Sequence, residues 1–455
     1  MDRRTFLHST TAAGALLTLA PALFAQDASR DKPDDLNVAV IGLGLQGSQL
    51  LKSVASTVPA VEGVRIAAVC DIQPAVRARW RKSLQLYGHE PAEYAHCEEM
   101  LAANKCIHAA VIATPDHLHA PMTVACLKAG MHVYCEAPMS VDLQGAADMI
   151  AAARLTGKLL QIGYQRRSDP RYIAAEEIAR KHRLLGRVRN VNAQSNRCSA
   201  GRVLHVHGPD VPKAILKAHD YDSMHDLVNW RLSASRGAGP LARASGQLDA
   251  VGWLLGGVNP ISVMAAGGRD YFNGDHDEEI MVVYEYQGND GSVRAFHQIL
   301  NTTIYGAYGR DYEVFMGDEA TLVISAVSDR HRGRAWLLRE SHPGLDETAM
   351  RKWQKAQKAG LVGPQDRDAH EADRRSVLGV RLTDSCEFRF QPMLTEIRQS
   401  PHHTHLANFL DAVRGKAELN CPGDVAYQTA VAVLKTADAV REGKKIHFTK
   451  ADFTV

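Results

Sequence analysis

The first third of the chain alternates short apolar runs with segments whose apolar residues recur at helical spacing. Such runs are typical of parallel strands, because helices cover both faces of a parallel sheet. The runs lie at residues 38–41, 64–69, 108–113, 131–135 and 159–162. Helices are predicted between them, around 74–86, after 114–120, and over 141–156 with Ser140 as the N-cap. The pattern predicts an α/β domain with an open, doubly wound parallel sheet over residues 36–162.

The second half of the chain has β-like runs, several of them with alternating apolar and polar residues. They lie at residues 188–194, 261–265, 280–286, 292–300, 312–315 and 321–325, and they predict a large, mostly antiparallel sheet in an α+β domain. Helices are predicted near 168–181 and 246–255. Residues 328–384 are charged and predict an irregular surface excursion. Two amphipathic helices are predicted at 402–413 and 425–440.

Charge gives no sign of a nucleic-acid or membrane partner, and the cysteines indicate free thiols. The 53 basic and 51 acidic residues are interspersed and give a net charge of +2, which predicts neither a nucleic-acid partner nor a membrane-surface partner. The eight cysteines form no Cys-x-x-Cys pair. Cys70, Cys106, Cys126 and Cys135 lie in or beside apolar runs, so buried free thiols are predicted rather than a disulfide framework.

Residues 1–30 have the pattern of a twin-arginine export signal followed by a linker. Arg3 and Arg4 precede an apolar run at 12–24 that is too short to span a membrane. The pattern predicts a protein that is periplasmic or otherwise exported, with no membrane span in the mature chain. An uncleaved membrane anchor is the alternative.

The first apolar run ends in Gly42-x-Gly44-x-x-Gly47 and is followed by a helix-compatible segment. The first glycine permits the tight turn, the second lets a pyrophosphate approach the backbone, and the third lets helix and strand pack closely. The next run ends in Cys70-Asp71, which places a carboxylate where a ribose 2′-hydroxyl would bind. These features predict a dinucleotide site that prefers NAD, with NADP as the alternative. Because twin-arginine export transports folded proteins, the coenzyme is expected to be loaded before export and held tightly.

Several motifs in a fixed order resemble the glucose–fructose oxidoreductase/inositol dehydrogenase/MocA family over about residues 36–455. They are the glycine motif, Cys70-Asp71, Ala113-Thr-Pro-Asp-His-Leu-His119, Cys135-Glu-Ala-Pro138, Gln161-Ile-Gly-Tyr-Gln-Arg-Arg-Ser168, Asn229-Trp-Arg231 and Phe315-Met-Gly-Asp-Glu-Ala-Thr-Leu322. The resemblance implies a Rossmann domain, a substrate and oligomerisation domain with an open-faced sheet at 163–400, and C-terminal helices at 401–455 packing near the first domain. It also implies sugar-like substrates and homo-oligomers formed through the sheet face.

The resemblance further implies which residues contact the coenzyme. The loop from Thr114 to His117 would flank the nicotinamide ribose, Glu136 would lie on the nicotinamide side, and Trp230 with Arg231 would face the coenzyme across the cleft. A structural role is the alternative for His117, His119 and Trp230. The predicted coenzyme-binding residues are Gly42, Leu43, Gly44, Leu45, Gln46, Gly47, Asp71, Ile72, Thr114, Pro115, Asp116, His117, His119, Glu136, Ala137, Pro138, Gln165, Trp230 and Arg231.

The chain departs from the family pattern at the positions that transfer protons. The family's dehydrogenases usually have a lysine where this chain has Ala137. Their later Asp and His are replaced by Arg243 and by Gly246 or Gln247, and Tyr164 stands where relatives tend to have His. Oxidation of an alcohol by NAD needs a base for the hydroxyl proton, worth about 10²–10⁴-fold in rate. These losses argue against an ordinary sugar dehydrogenase mechanism.

Two groups of residues are candidates to replace the missing base. Tyr164 follows a strand end, and a phenol can act as an acid or, with a lowered pKa, as a base; a packed core tyrosine is the alternative. Titratable residues also cluster before Asn229, and His225 is the proton-transfer candidate among His207, His219, Asp220, Asp222 and His225. No metal site is predicted. The spacing of these residues matches no particular metal site, and helix entry and capping explain the His402 and His405 pair as well.

Three functions fit this combination of features. The first is an exported NAD(P)-dependent oxidoreductase that acts on a sugar or sugar derivative with tightly bound coenzyme. The second is a redox-neutral, NAD-dependent glycoside hydrolase or lyase, which would release an aglycone without net NADH. The third is a non-catalytic family member that binds nucleotide or sugar.

Overall fold

The computed structural model describes residues 35–55, 63–103, 106–198, 211–269, 275–288, 291–302, 311–325, 335–340, 347–363, 389–393 and 400–455. The predicted export segment and His207 lie outside these residues. Within the described ranges, no helix combines the length and the apolar character needed to cross a membrane.

The first sheet is built from six short strands of the described chain. They are β1 Leu36–Ile41, β2 Val64–Cys70, β3 Ala92–Tyr94, β4 Ala109–Ile112, β5 His132–Cys135 and β6 Leu160–Ile162. All pairs are parallel, and the strand order is β3-β2-β1-β4-β5-β6. The order reverses between β1 and β4, and in such sheets ligands bind outside the carboxyl ends of the strands at this crevice.

The second sheet contains nine strands in the described residues. They are β7 Val188–Cys198, β8 Pro260–Gly268, β9 Glu279–Gly288, β10 Gly291–Thr302, β11 Asp311–Gly317, β12 Ala320–Ser325, β13 Ala335–Arg339, β14 Arg389–Pro392 and β15 Ile446–His447. Their order is β14-β13-β12-β11-β7-β10-β9-β8-β15, and only the β7–β10 pair is parallel among them. The predicted fold class, a doubly wound parallel sheet plus a mostly antiparallel one, is confirmed.

Helices surround both sheets. Those of the first domain are α1 Leu45–Ala55, α2 Pro74–Gln85, α3 Cys97–Ala103, α4 His119–Lys128 and α5 Leu143–Thr156. They are followed by α6 Pro170–Glu176, α7 Lys213–Ala218, α8 Met224–Val228, α9 Gly239–Arg243, α10 Ser245–Leu254, α11 Glu347–Lys358, α12 Pro401–Val413 and α13 Gly423–Glu442. Single turns also form at Asp116–Leu118, Gln165–Ser168, Glu177–Lys181, Trp230–Leu232 and Lys450–Phe453.

Alternate residues of β1 enter two different cores, as the period of a strand requires. Val38 and Val40 pack on the side of α1 and α12, in a core that also contains Phe409. Ala39 and Ile41 pack on the opposite side, in a core shared with α5 and α13. The C-terminal helices therefore complete the cores of the first domain, and burial of their apolar faces stabilises it.

Three local predictions were wrong. The excursion predicted at 328–384 contains strand β13 and helix α11, and Trp353 and Ala356 of that helix are buried in the second-domain core. Helix α5 is capped by Asp142, whose carboxylate accepts from the N–H of Gly145 at 2.6 Å, and not by Ser140. Cys106 is exposed, whereas Cys70, Cys126 and Cys135 are buried free thiols as predicted.

Candidate active site

The glycine motif forms the turn between β1 and α1. Gly42 has φ +85°, and a Cβ there would lie 2.6 Å from the carbonyl oxygen of Ala113. A Cβ on Gly47 would lie 1.8 Å from the carbonyl oxygen of Gly42, so α1 can pack on the turn only without a side chain. Gly44 differs, because it is exposed and an added Cβ would meet no atom of the described residues within 4 Å. The next residue, Leu45, is 76% exposed. This surface is the expected coenzyme contact.

Asp71 holds the turn in place from the end of β2. Its Oδ2 accepts from the N–H of Leu43 at 2.8 Å, and its Oδ1 accepts from the N–H of Gln73 at 2.8 Å. Burial raises the pKa of this carboxyl, while the two backbone donors favour the charged form. Each carboxylate oxygen has a further lone pair. Asp71 can therefore order the loop and still accept from a ribose hydroxyl.

His119 ties together the loops that follow β4 and β5. Its Nδ1 lies 2.7 Å from the carbonyl oxygen of Pro138, and its Nε2 lies 3.0 Å from that of Thr114. Two acceptors require two N–H donors, which only the imidazolium has. Burial lowers the pKa of His119, but Cys135, Asp116 and the Pro138 carbonyl outweigh it and raise the pKa to about 10. His119 thus positions predicted coenzyme residues from beneath the loops.

Glu136 is the centre of a hydrogen-bond network after β5. Its Oε1 accepts from Nε2 of Gln165 at 2.9 Å, from Nε2 of Gln46 at 3.1 Å and from the Tyr134 hydroxyl at 3.4 Å. The imidazole Nδ1 of His402, at the start of α12, lies 3.4 Å from the same Gln46 nitrogen. The network joins the glycine turn, the Glu136 loop and the start of the second domain in one unit.

Residues 211–238, here called the strap, cross the loops after β2 and β4. The Ala238 N–H donates to Oδ2 of Asp116 at 3.0 Å, and the His117 N–H donates to the carbonyl of Arg236 at 3.1 Å. Ile72 packs against an apolar cluster inside the strap made of Val211, Leu216, Tyr221, Leu227 and Trp230. The Arg231 guanidinium stacks 4.0 Å from the Trp230 ring centroid. The strap therefore brings Ile72, Asp116, His117, Trp230 and Arg231 together.

The second domain presents a charged group beside this network. The Arg166 guanidinium lies 3.1 Å from Oε1 of Glu313, and its Nε donates to the Tyr172 hydroxyl at 3.0 Å. That hydroxyl donates to Glu313 at 2.5 Å. Arg167 makes two bonds to the Asp249 carboxylate at 2.8 and 2.9 Å. Both cations are thus paired with carboxylates of the same domain.

The two catalytic candidates have different environments. Burial raises the pKa of Tyr164, so its phenol stays protonated and can donate a hydrogen bond but is not prepared as a base. His225 is exposed on α8 of the strap, and its catalytic role stays a prediction. Near it in sequence, His219 stacks on His96 with ring centroids 5.2 Å apart. Among the described residues, no three His, Cys, Asp or Glu side chains are grouped to hold a metal ion.

Three polar residues of the site were missed from the sequence. Arg166 stands in a motif that was recognised, but its partner Glu313 is distant along the chain. His297, on β10, is bound through Gln247, one of the positions where relatives have His. The contacts of these three residues depend on which strands of the second sheet face α10. No local pattern in the sequence indicates that arrangement.

The fold and the site define a two-domain dinucleotide-binding protein with a Rossmann domain and a large open sheet. Residues 36–164 match the family model described as the oxidoreductase family with an NAD-binding Rossmann fold, GFO_IDH_MocA. The first domain is therefore similar to the NAD-binding Rossmann domain of this family, and this match supports the family resemblance and the choice of NAD.

Curated relatives match part of the chain. The chain is 30% identical to the inositol 2-dehydrogenase of Salmonella typhimurium over 207 residues, which cover 43% of this chain and 55% of that protein. It is 32% identical to a glycosyl hydrolase family 109 protein of Shewanella amazonensis over 174 residues, which cover 34% of this chain and 37% of that protein. The chain thus matches about half the length, or less, of these relatives.

Solved structures match over both domains. The aldose-aldose oxidoreductase of Caulobacter crescentus superposes with a TM-score of 0.64 at 19% identity, covering 91% of this chain and 100% of that one. A levoglucosan dehydrogenase in complex with NADH superposes with a TM-score of 0.65 at 16% identity, covering 91% and 99%. At these identities the likeness shows the shared fold alone.

Proposed function

We propose that this protein is an exported NAD(P)-dependent oxidoreductase that acts on a sugar or sugar derivative. The observation that supports this most is the intact coenzyme turn, in which exposed Gly44 and Leu45 stand above a loop ordered by Asp71. The inositol 2-dehydrogenase and levoglucosan dehydrogenase matches support the oxidoreductase class and the sugar-like substrate.

In this proposal the glycine turn and the N-terminus of α1 hold the coenzyme diphosphate, Asp71 holds the adenosine ribose, and Thr114 and Glu136 flank the nicotinamide half. Bound NAD would supply the hydride acceptor. The Thr114 hydroxyl is buried without a hydrogen-bond partner in the described part of the chain. A bound ligand would supply this missing hydrogen bond. Tyr164 would orient the substrate as a hydrogen-bond donor.

Tight retention of the coenzyme is part of the proposal. The strap is tied to Asp116 and His117 by backbone hydrogen bonds and to Ile72 by apolar packing. In this proposal the strap must separate from these loops before the coenzyme can dissociate, and this requirement slows dissociation. Retention suits a protein loaded before twin-arginine export, for which residues 1–30 are the proposed signal.

Native mass spectrometry and absorbance spectra of the protein purified from the exported fraction test the bound coenzyme and its reaction with a sugar. The expected result is a mass increase equal to one dinucleotide and a nicotinamide absorbance that changes when a sugar is added. A coenzyme-free protein that also fails to bind added NADH would refute the proposal. Cytoplasmic retention of a fusion to residues 1–30 would refute export alone.

A redox-neutral glycoside hydrolase is the second candidate, because family 109 glycosyl hydrolases are among the relatives. Transient oxidation by a trapped coenzyme, elimination and return of the hydride would consume no net NAD. Release of an aglycone from nitrophenyl glycosides without accumulation of NADH would identify this activity. NADH accumulation during sugar oxidation would identify the oxidoreductase instead.

A non-catalytic role is the third candidate, since Ala137 can neither donate nor accept a proton. Ala137→Lys tests it in the same assays. Turnover only in the variant would show that the natural chain is a degenerate enzyme, whereas turnover by the natural chain excludes this role.

We also propose a homo-oligomer formed through the second sheet. Met264 and Met281 lie on the sheet face opposite the helices and are 52% and 49% exposed. Sedimentation of the wild type and of the double variant with both residues changed to Lys tests this, and a smaller species is expected for the variant.

A further inference from the structure

A pair of histidines adds a further contact between the strap and the first domain, besides the backbone hydrogen bonds to Asp116 and His117. The imidazole of His219, which follows α7, stacks on the imidazole of His96, which precedes α3. The ring centroids lie 5.2 Å apart and the ring planes are inclined by 21°. The stack therefore joins the strap to the loop between β3 and α3.

This loop is adjacent to the one expected to hold the adenosine ribose. The N–H of Asp71 donates to the carbonyl of Tyr94 at 3.2 Å, two residues before His96. Tyr221, two residues after the histidine of the strap, is buried in the apolar cluster that packs against Ile72. The histidine pair thus lies within two residues of contacts to Asp71 and Ile72, so its separation would loosen the strap on the ribose side.

The stacked arrangement holds His219 without charge. Its Nε2 is buried and has no hydrogen-bond partner in the described part of the chain. An imidazolium carries hydrogen on both ring nitrogens, so charging this ring would bury a donor without an acceptor. Burial and the facing His96 lower the pKa of His219, and the carboxylates of Asp220 and Glu98 oppose this shift only in part.

Protonation therefore favours separation of the two rings. Histidine is the side chain whose ordinary charge change falls between about pH 5 and 8. In the separated state His219 would be in water, with the ordinary pKa of about 6.5, so that state binds more protons than the stacked one. The stack is then fully favoured above about pH 6.5 and weakens as the pH falls below that value.

We propose that His96 and His219 form a pH-sensitive latch, which keeps the strap closed over the coenzyme at neutral pH and releases it on acidification. The proposal rests on the proposed function, because it regulates retention of NAD(H) at the same site. His117 also borders the strap, where its Nδ1 lies 3.3 Å from the carbonyl oxygen of Arg236, and burial lowers its pKa. A change at the pair leaves His117 in place, so a comparison of variants isolates the latch.

Matched variants separate titration from stacking. His219→Phe keeps an aromatic ring in the stack and removes the group that takes up the proton. His96→Phe removes the facing imidazole and leaves His219 as it is. His447→Phe, the same change at an exposed position of β15 in the second sheet, is the control.

Displacement of NADH from the loaded full chain by excess NAD measures the dissociation rate between pH 8 and pH 5.5. For the wild type and His447→Phe the rate is expected to rise about tenfold on acidification, as for two unit charges about 5 Å apart near a protein surface. His219→Phe is expected to keep the rate within about twofold over this range. His96→Phe should give an intermediate rise, because burial of His219 still opposes its protonation. The double variant should match His219→Phe, since the two rings act as one unit.

Hydrogen exchange of the coenzyme-free chain tests the latch without NADH. After correction for the intrinsic rate, peptides from residues 211–238 of the wild type are expected to be less protected at pH 5.5 than at pH 8, and those of His219→Phe equally protected at both. No acid effect in the wild type, or one of the same size in His219→Phe, would overturn the inference. Failure of the proposed function appears instead as an absence of NADH binding, and hydrogen exchange then still tests the latch.

Discussion

Replacing Gly44 by Ala separates coenzyme binding from folding. An added Cβ meets no atom of the described residues within 4 Å, and Gly44 does not have a positive φ. The free energy of unfolding is therefore expected to stay within about 1 kcal/mol of wild type. The methyl group would project into the space where the diphosphate is expected to approach. Losing one backbone hydrogen bond to a phosphate, worth about 1.5–3 kcal/mol, would weaken NADH binding about 10- to 100-fold.

Gly47→Ala is the matched variant in the same turn. Its Cβ would lie 1.8 Å from the Gly42 carbonyl oxygen, and backbone on one side or the other must move to relieve that contact. Overpacking of this kind costs about 1–3 kcal/mol or more. This variant is expected to lose both stability and NADH binding, in contrast to Gly44→Ala.

Urea unfolding measures the stability of each variant, and NADH fluorescence titration of the coenzyme-free protein measures affinity. Wild-type NADH affinity in Gly44→Ala would show that the diphosphate does not rest on this turn. Wild-type stability in Gly47→Ala would show that α1 does not pack on Gly42 as the structure has it. Either result would refute the reasoning about the turn.

Two further predictions concern Asp71 and His119. Asp71→Asn removes the charge that disfavours a 2′-phosphate, so the ratio of NADP to NAD dissociation constants is expected to fall about tenfold; an unchanged ratio would contradict the ribose assignment. The pKa of His119 is raised on folding, so its stabilisation is complete below the unfolded value of about 6.5 and is lost as pH rises through about 10. Urea unfolding from pH 6 to pH 10.5 should show a steeper loss for wild type than for His119→Gln, and parallel curves would argue against a buried imidazolium.

The first domain could be predicted because its signals are local. Five of the six strands coincide with predicted apolar runs, and the glycine spacing indicates a turn of only a few residues. The remaining strand, β3, is not buried and was missed. The same reasoning failed at 328–384, where apolar residues such as Trp353 are separated by charged ones that face solvent. It also chose Ser140 over Asp142 as a cap, because both are good N-cap residues and only the geometry of the turn distinguishes them.

The substrate side of the site could not be predicted, because its contacts join residues far apart in sequence. Arg166, in the single turn after β6, meets Glu313 on β11, and His297 on β10 meets Gln247 on α10. From the sequence, Gln247 is merely the loss of a histidine. In the structure its amide joins α10 to two carbonyls of the sheet and orients His297.

This arrangement changes how the missing proton-transfer set is understood. Relatives have their proton-transferring residues in the first turn of the helix that corresponds to α10 and in the Glu-x-Pro loop. In this chain those positions are Gly246, Gln247 and Ala137. Polar side chains lie instead on Tyr164, Ser245 and His297, and the guanidinium of Arg166 fills the space left by Gly246. A chain that had merely lost function would be expected to fill such a space with apolar side chains, since buried polar groups without partners are destabilising. Polar side chains beside an intact coenzyme turn support the proposed oxidoreductase over the non-catalytic alternative.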